Sequence, residues 1–319
     1  MKEKILARLR HGGPVSGEEL ASMTGVSRTA VWKYINKLRL EGYRIDSVTG
    51  RGYYLVSAPD RLLPNEIKSG LSTRMLGGEI IYRREVTSTQ AVAKSLASEG
   101  AVEGTVVVAE TQSGGRGRIA RGWVSAVGGI YFSIILRPDI KPTEALQLPL
   151  IAGLAVARGI EQLTCLNPSL KWPNDIILSG RKAGGILTEM SAEMDRLEWV
   201  IIGIGLNVNI TSETFPPQVR EEATSLMQAG GKQIPRVKLL QCILAELEAL
   251  YDEFTESGFE NLRQQWKKLS NTIGSEVTVS SSTEHLVGRA VDIDRDGALI
   301  LQQKDGAQVR IIAGDVRLR

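Results

Sequence analysis

The chain has 319 residues, 42% hydrophobic and 24% charged, with a net charge of +3. That length calls for two or three domains, and no apolar run reaches the roughly 18 residues of a membrane span. The two cysteines, Cys165 and Cys242, lack metal-ligand spacing, and the two histidines, His11 and His285, stand at opposite ends, which excludes a disulfide scaffold, a zinc site and a histidine-based triad. The charged N-terminus has neither the apolar centre nor the cleavage site of a signal peptide, so a reduced cytoplasm is expected. Residues 1–59 hold ten Lys and Arg against five Asp and Glu, a net +5, which leaves about −2 on the rest. An anionic polymer would therefore be met at the N-terminus.

In residues 1–59, Ile5, Leu6 and Leu9 give a first helix its apolar side. Ser16 caps a second helix, with Glu19 at the reciprocal position of a capping box. Gly25 breaks the chain, and Ser27 caps a third helix that runs to about Leu40 and stops at Gly42. Val31, Ile35 and Leu38 share one side of it. Arg28, Thr29, Trp32, Lys33, Asn36 and Lys37 fall largely on the other. Two short strands, Tyr43–Ile45 and Gly52–Leu55, flank a turn with Gly50 and Arg51. Together these predict a winged helix-turn-helix whose basic helix enters a major groove. The candidate DNA contacts are Ser27, Arg28, Thr29, Trp32, Lys33, Asn36, Lys37 and Arg51. Two blander readings stand beside this: a small helical domain with a solvated polar face, and a Trp32 partly buried and out of reach of DNA.

Ala58–Arg61 reads as a linker, and a second domain spans 60–270. Its expected elements are a brief helix at Asn65–Leu71, a strand at Ile80–Tyr82, a helix from Ser88 or Thr89 to about Ser98, and a buried strand at Gly104–Ala109. Then comes Thr111–Val124, TQSGGRGRIARGWV. Gly114, Gly115 and Gly117 free the backbone for positive φ and close approach to a ligand. Arg116, Arg118, Arg121 and the later Lys182 bring four cations toward a possible anion. A solvated connection would have a similar composition. A strand at Gly129–Leu136 and a helix at Thr143–Leu163 follow. In Lys171-Trp172-Pro173-Asn174-Asp175, Pro173 keeps Trp172 out of the helical region, so a turn is expected. Strands at Ile176–Leu178 and Lys182–Met190 flank a turn at Ser179–Arg181, and a further strand, Trp199–Val208, leads into Asn209. A long helix, Arg236–Phe254, turns Leu240, Ile243, Leu244, Leu247, Leu250, Tyr251 and Phe254 inward, and Glu260–Leu269 ends the domain. Over 271–319, four short strands are expected: Glu276–Ser280, Leu286–Ile293, Ala298–Gln302 and Gln308–Ile312. Hairpin turns at Asp294–Gly297 and Lys304–Gly306 separate the last three.

Four polar motifs, each beside an apolar strand, succeed one another: GGRGR (114–118), KWPND (171–175), KAGGILTE (182–189) and GIGLNVN (203–209). In that order they resemble biotin–protein ligase, and nearly the whole chain resembles the bifunctional form that also represses the biotin operon. The resemblance implies an α+β multidomain fold with an N-terminal winged helix-turn-helix, a central mixed β-sheet with helices of the biotin/lipoate ligase kind, and a small C-terminal SH3-like β-barrel. It implies that biotin's carboxylate attacks the α-phosphate of MgATP, and that a lysine of a biotin carboxyl carrier domain then takes the biotinyl group from biotinyl-5′-AMP. Biotin contacts fall on Ser88, Thr89, Gln90 (commonly Asn in the family), Gln112, Gly115, Arg116, Gly117, Arg118, Lys182 and Gly185, with Gly184 also allowing close approach. ATP contacts fall on Arg118, Arg121, Trp123, Lys171, Asn174, Asp175, Lys182 and Asn207. Arg118 and Lys182 are the catalytic pair, and Asp175 holds Mg²⁺ or its waters. Trp123 either covers the adenine or is a core aromatic. Asn174, Asn207 and Asn209 either meet ribose or phosphate or cap turns. The glycines of Ser113–Arg118 suggest a loop that orders over ligand. An adenylate-bound homodimer on a palindromic operator is also implied. The competing readings are a ligase with a silent N-terminal domain, a non-catalytic biotin-sensing repressor, and a lipoate ligase.

Overall fold

The computed structural model describes residues 1–118, 121–193, 196–280 and 285–318. These divide into two compact units, Met1–Arg61 and Leu62–Arg319. Among the described residues, no helix is long and apolar enough to cross a membrane.

The first unit holds helices α1 (Lys2–Arg10), α2 (Gly17–Thr24) and α3 (Arg28–Leu40), then an antiparallel pair, β1 (Arg44–Val48) and β2 (Gly52–Ser57). Ser16 accepts the Glu19 N–H at 3.0 Å and Ser27 accepts that of Ala30 at 3.2 Å, so both helix starts are capped as predicted. The reciprocal half of the capping box is not observed. The Glu19 carboxylate lies 2.7 Å from Arg8 on α1, a charged partner that a backbone amide does not match. Ile5, Leu6, Leu9, Leu20, Val31, Ile35 and Leu38 make the core. Val15 and Tyr53 exchange two backbone hydrogen bonds of 2.8 Å, which ties the wing to the segment before α2. Gly52, at φ +105°, is required there because a Cβ would lie 2.1 Å from the Val15 carbonyl oxygen. Arg28, Thr29, Lys33, Lys37 and Arg51 are exposed, Asn36 is half-buried, and Trp32 is 53% exposed, so the buried reading of Trp32 is set aside.

The second unit is built on a seven-stranded sheet. Its elements in chain order are α4 (Pro64–Lys68), β3 (Ile80–Val86), α5 (Thr89–Ser98), β4 (Val106–Gln112), β5 (Ile130–Leu136), α6 (Leu148–Leu163), β6 (Ser169–Lys171), β7 (Asp175–Leu178), β8 (Arg181–Glu193), β9 (Arg196–Leu206), α7 (Pro217–Arg220), α8 (Leu226–Gly230), α9 (Arg236–Ser257) and α10 (Glu260–Leu269). The strand order is β3-β4-β5-β9-β8-β7-β6, with only β3 and β4 parallel. Period-two alternation sorts the apolar strands between two faces. Val106, Val108, Phe132, Ile134, Ile202 and Ile204 join the core under α6 and α9. Val107, Ile135, Trp199 and Ile201 pack instead on Ala93 and Ala97 of α5.

The helix expected from Thr143 is two pieces, a 3₁₀ turn at Glu144–Gln147 and then α6, because Pro149 is accommodated only in a first helical turn. The short elements β6, α7 and α8 were not foreseen. None is long enough to establish a period. One buried carboxylate also escaped notice. Glu248 on α9 accepts the N–H groups of Arg74 at 2.5 Å and of Met75 and Leu76 at 2.7 Å, and so holds the segment before β3. Glu248→Ala is expected to destabilise this unit by about 2–3 kcal/mol, read as a lower urea midpoint, because one buried and two part-buried donors lose a charged acceptor.

The C-terminal residues form a five-stranded antiparallel sheet, ordered β13-β12-β11-β10-β14, from β10 (Glu276–Ser280), β11 (His285–Ile293), β12 (Leu299–Gln302), β13 (Gln308–Ile311) and β14 (Asp315–Leu318). Strand β14 is additional to the four predicted. It pairs with β10 and turns Val316 into the core while Arg317 and Leu318 stay exposed. Buried Trp172 joins the two sheets. Its Nε1 donates to the Gly297 carbonyl at 3.0 Å, and its backbone N–H donates to the Thr272 hydroxyl at 3.0 Å.

Candidate active site

A cavity of about 610 Å³ opens in the second unit. Its floor is a part of the sheet stripped of side chains. Ser133 pairs with Gly203, Tyr131 with Gly205, and Gly205 with Gly185 across β5, β9 and β8. A Cβ on Gly203 would lie 2.3 Å from Gln90 Oε1, and one on Gly205 would lie 2.6 Å from Trp123 Nε1. The glycines of GIG therefore seat Gln90 and Trp123 directly on the strand.

At one end the start of α5 is held from outside the helix. Ser88 occupies the N-cap position, but its side chain makes no cap bond. Gln112 Oε1 accepts the Thr89 N–H at 2.8 Å instead, and Gln112 Nε2 donates to Ser125 at 2.8 Å. Ser133 lies 2.9 Å from the Thr89 hydroxyl and 3.0 Å from Gln90 Oε1. Gln90 Nε2 donates to the Ile201 carbonyl at 3.2 Å. The result is a compact polar cluster on an apolar sheet, with hydroxyls and amides fixed in orientation.

At the other end are the cations. The basic loop folds back on itself: the Gly117 N–H donates to Arg121 O at 2.7 Å and the Trp123 N–H to Gly115 O at 2.9 Å. Ile119 and Ala120 of this loop lie outside the described residues. Arg118 donates to Asn174 Oδ1 and to the Gly314 carbonyl, both at 3.3 Å. Burial pushes its guanidinium below the usual value, against the opposing pull of Asp175 and Asp315. Arg121 reaches Asp315 on β14 at 2.8 Å. That hydrogen bond, with the charge behind it, raises Arg121. For Asp315, burial works upward, but the Arg121 bond and the nearby cations prevail and hold it below the usual carboxylate value. Asp175 gathers the two lysines, with Lys182 Nζ at 2.5 Å and Lys171 Nζ at 3.5 Å. Lys182 also sits 5.6 Å from the Trp123 ring centroid, within cation–π range.

Of the residues named from the sequence, Ser88, Thr89, Gln90, Gln112, Arg116, Gly117, Arg118, Arg121, Trp123, Lys171, Asn174, Asp175, Lys182, Gly185 and Asn207 all line this cavity. Gly115 does not. It packs behind the loop, where a Cβ would meet the Trp123 carbonyl oxygen at 2.5 Å. Nor do Gly114, Gly115 or Gly117 adopt positive φ; at Gly114 and Gly115 the requirement is for space. Gly184 is wedged against Leu206 and Ile176, away from the cavity. Asn209 is a clasp, with both amide atoms 2.9 Å from the Ile234 backbone.

Three lining contributors had no signal in the sequence. Ser133 lies inside an unbroken apolar strand. The segment before α8 enters by backbone contact, as Lys182 N–H donates to Glu222 O at 2.7 Å. Asn271 and residues 314–318 arrive from the C-terminal end. Three buried polar atoms at the cavity have no partner among the described residues: Trp123 Nε1, Asn207 Oδ1 and Asn271 Oδ1.

Three stretches match known families: residues 81–207 the Biotin/lipoate A/B protein ligase family, residues 2–54 an HTH domain, and residues 272–319 the Biotin protein ligase C terminal domain. The chain is 43% identical over 305 residues to the bifunctional ligase/repressor BirA of Bacillus spizizenii, covering 95% of this chain and 94% of that one. It is 31% identical to BirA of Escherichia coli, covering 99% and 96%. The solved biotin protein ligase of Aquifex aeolicus, in complex with biotin and ATP, matches with a TM-score of 0.66 at 32% identity, over 76% of this chain and 99% of that one. A glycine-floored cavity lined by arginines and lysines, in a chain whose first unit is a basic winged helix-turn-helix, thus coincides with relatives that match over nearly the whole chain, and the chain belongs to the biotin protein ligases, among the bifunctional ligase/repressors.

Proposed function

We propose that this chain joins biotin to ATP and passes the biotinyl group to a carrier lysine, and that the same ligand state governs its binding to DNA. The observation that carries the reading is the junction of two unlike halves in one cavity. The polar cluster of Thr89, Gln90, Gln112 and Ser133 suits an uncharged cyclic urea on an apolar floor. The cluster of Arg116, Arg118, Arg121, Lys171 and Lys182 suits a carboxylate meeting a triphosphate.

In the first step a biotin carboxylate oxygen attacks the α-phosphorus. A carboxyl–phosphate bond forms, the bond to the β-phosphate oxygen breaks, and pyrophosphate leaves with the electron pair. Arg118 and Lys182 stand between the two anions and neutralise them as they approach. Arg121 and Lys171 face the leaving phosphates, and Trp123, Asn174 and Asn207 face the nucleoside. The unpartnered Oδ1 atoms of Asn207 and Asn271 match the amino edge of a purine. Asp175 orients the two lysines, and Mg²⁺ carried on the nucleotide would find in it a carboxylate beside the phosphates. In the second step the carrier lysine, as free amine, attacks the acyl carbon. An amide forms, the amine loses a proton, and AMP departs. Gly205→Ala is expected to raise the KM for ATP about tenfold, about 1.4 kcal/mol, because the added methyl displaces the Trp123 indole.

The test is transfer of labelled biotin to a carrier domain with ATP. Amide-linked label and one pyrophosphate per turnover are expected; absence of both would overturn the reading. We further propose that the loop 113–118 orders over the adenylate and excludes water from the anhydride. We assign the work to the cytoplasm, with an adenylate-bound homodimer whose two α3 helices read a palindromic site. The half-exposed Trp32, exposed Arg28, Lys33 and Lys37, and wing Arg51 support the DNA reading. An operator titration with and without biotin and ATP separates a regulatory from a silent first unit.

A further inference from the structure

Glu110 sits on β4 one residue before the basic loop begins. The residue is 6% exposed and lies outside the cavity. Oε1 accepts the Leu62 N–H at 2.9 Å, with the Tyr82 hydroxyl 3.5 Å away. Oε2 accepts from Arg236 Nη1 at 2.9 Å, and the same nitrogen donates to the Gly129 carbonyl at 2.9 Å. Arg236 is 2% exposed. Gly129 directly precedes β5, beyond the far end of the loop. Leu62 is the first residue of the second unit, next to the linker from the winged-helix unit. One buried ion pair therefore ties together the start of the ligand loop, its return and the root of the linker.

Asn209 braces the same joint. Its N–H donates to Gly128 O at 2.8 Å, and its side chain clasps Ile234, two residues before Arg236. A buried, hydrogen-bonded pair of charges does not separate cheaply, so the groups bonded to it shift together.

We propose that Glu110 and Arg236 are positioning residues that carry the filling of the site to Leu62 and so to the tether of the winged-helix unit. This rests on the reading above, that biotin and ATP bind in the cavity and order its loop. The pair touches neither ligand. It acts by making the loop ends and the linker root one mechanical piece.

The test is hydrogen exchange on the full chain, with and without biotin and ATP, read in peptides covering residues 58–66 and 111–118. In the wild type the loop peptide gains protection, and exchange at Leu62 changes about fivefold or more, the low end of ordinary site-to-site coupling. The double variant Glu110→Gln/Arg236→Met keeps volume and removes both charges. In it the loop peptide still gains protection and pyrophosphate release stays within about threefold, while the Leu62 response falls below about twofold. The proposal is overturned if the wild-type loop is protected and Leu62 does not respond, a result that needs no variant to fold. It is also overturned if the double variant keeps the full Leu62 response. A wild-type loop unprotected by biotin and ATP would instead sink the reading of the site, and the coupling with it.

Discussion

Lys182→Met is expected to slow pyrophosphate release in a single turnover about 10²–10³-fold, with the fold intact. Two anions must approach within bonding distance inside a cavity. Like charges about 4 Å apart repel by roughly 4 kcal/mol at an effective dielectric of 20. The Lys182 ammonium lies against Asp175 and 5.6 Å from the Trp123 ring, so it can leave the carboxylate for the incoming phosphate without dragging the backbone. Removing a positioned charge of this kind costs about 2.7–4 kcal/mol of transition-state stabilisation. Met keeps the length and the packing on Trp123 but not the charge. The side chain is 37% exposed, and Asp175 keeps Lys171 at 3.5 Å, so no buried carboxylate is stranded. Lys182→Arg is expected to recover only part of the rate, since a planar fork does not occupy the position of a compact ammonium. A Lys182→Met enzyme within threefold of wild type would remove Lys182 from the chemistry.

Arg236→Met is expected to be the most destabilising single change considered, by about 3–5 kcal/mol. It leaves the buried Glu110 carboxylate without its counter-charge, and it removes the Arg236 donor from the Gly129 carbonyl. The desolvation cost of the carboxylate is then offset only by the Leu62 N–H and the Tyr82 hydroxyl at Oε1. The double variant Glu110→Gln/Arg236→Met strands no charge, so its urea midpoint is expected nearer to wild type than that of Arg236→Met alone. That ordering is the sign of a coupled pair. Equal destabilisation by the single and double variants would mean that Arg236 acts through packing alone. The transition must be followed with a probe in the second unit, because the two units need not unfold together.

Much of this architecture is legible before folding. Ser16 and Ser27 announce two helix starts, Val31, Ile35 and Leu38 orient the third helix, and the unbroken run at 129–136 gives a buried strand. Fifteen of the cavity-lining residues are named from the sequence, nine of them in the four motifs whose order indicates the ligase. The errors have a common source. The glycines of the basic loop were read for their dihedral freedom, whereas Gly115 provides room for the Trp123 carbonyl. Asn209 is left by the sequence between a ligand contact and a turn cap, because its partner Ile234 lies 25 residues on.

What the sequence by itself determined was local: which segments coil or extend, where they are capped, which face of each is apolar, and which short motifs carry cations. Those signals act over a few residues, because periodicity and capping are contacts between near neighbours. The tertiary structure alone decided which of them meet. It set Gly203 and Gly205 beneath Gln90 and Trp123, brought Asp315 to Arg121 across 194 residues, and paired Glu110 with Arg236 across 126. Sheet register and the packing of α6 and α9 fix such pairings, and a single strand carries no mark of its register until its neighbours are present.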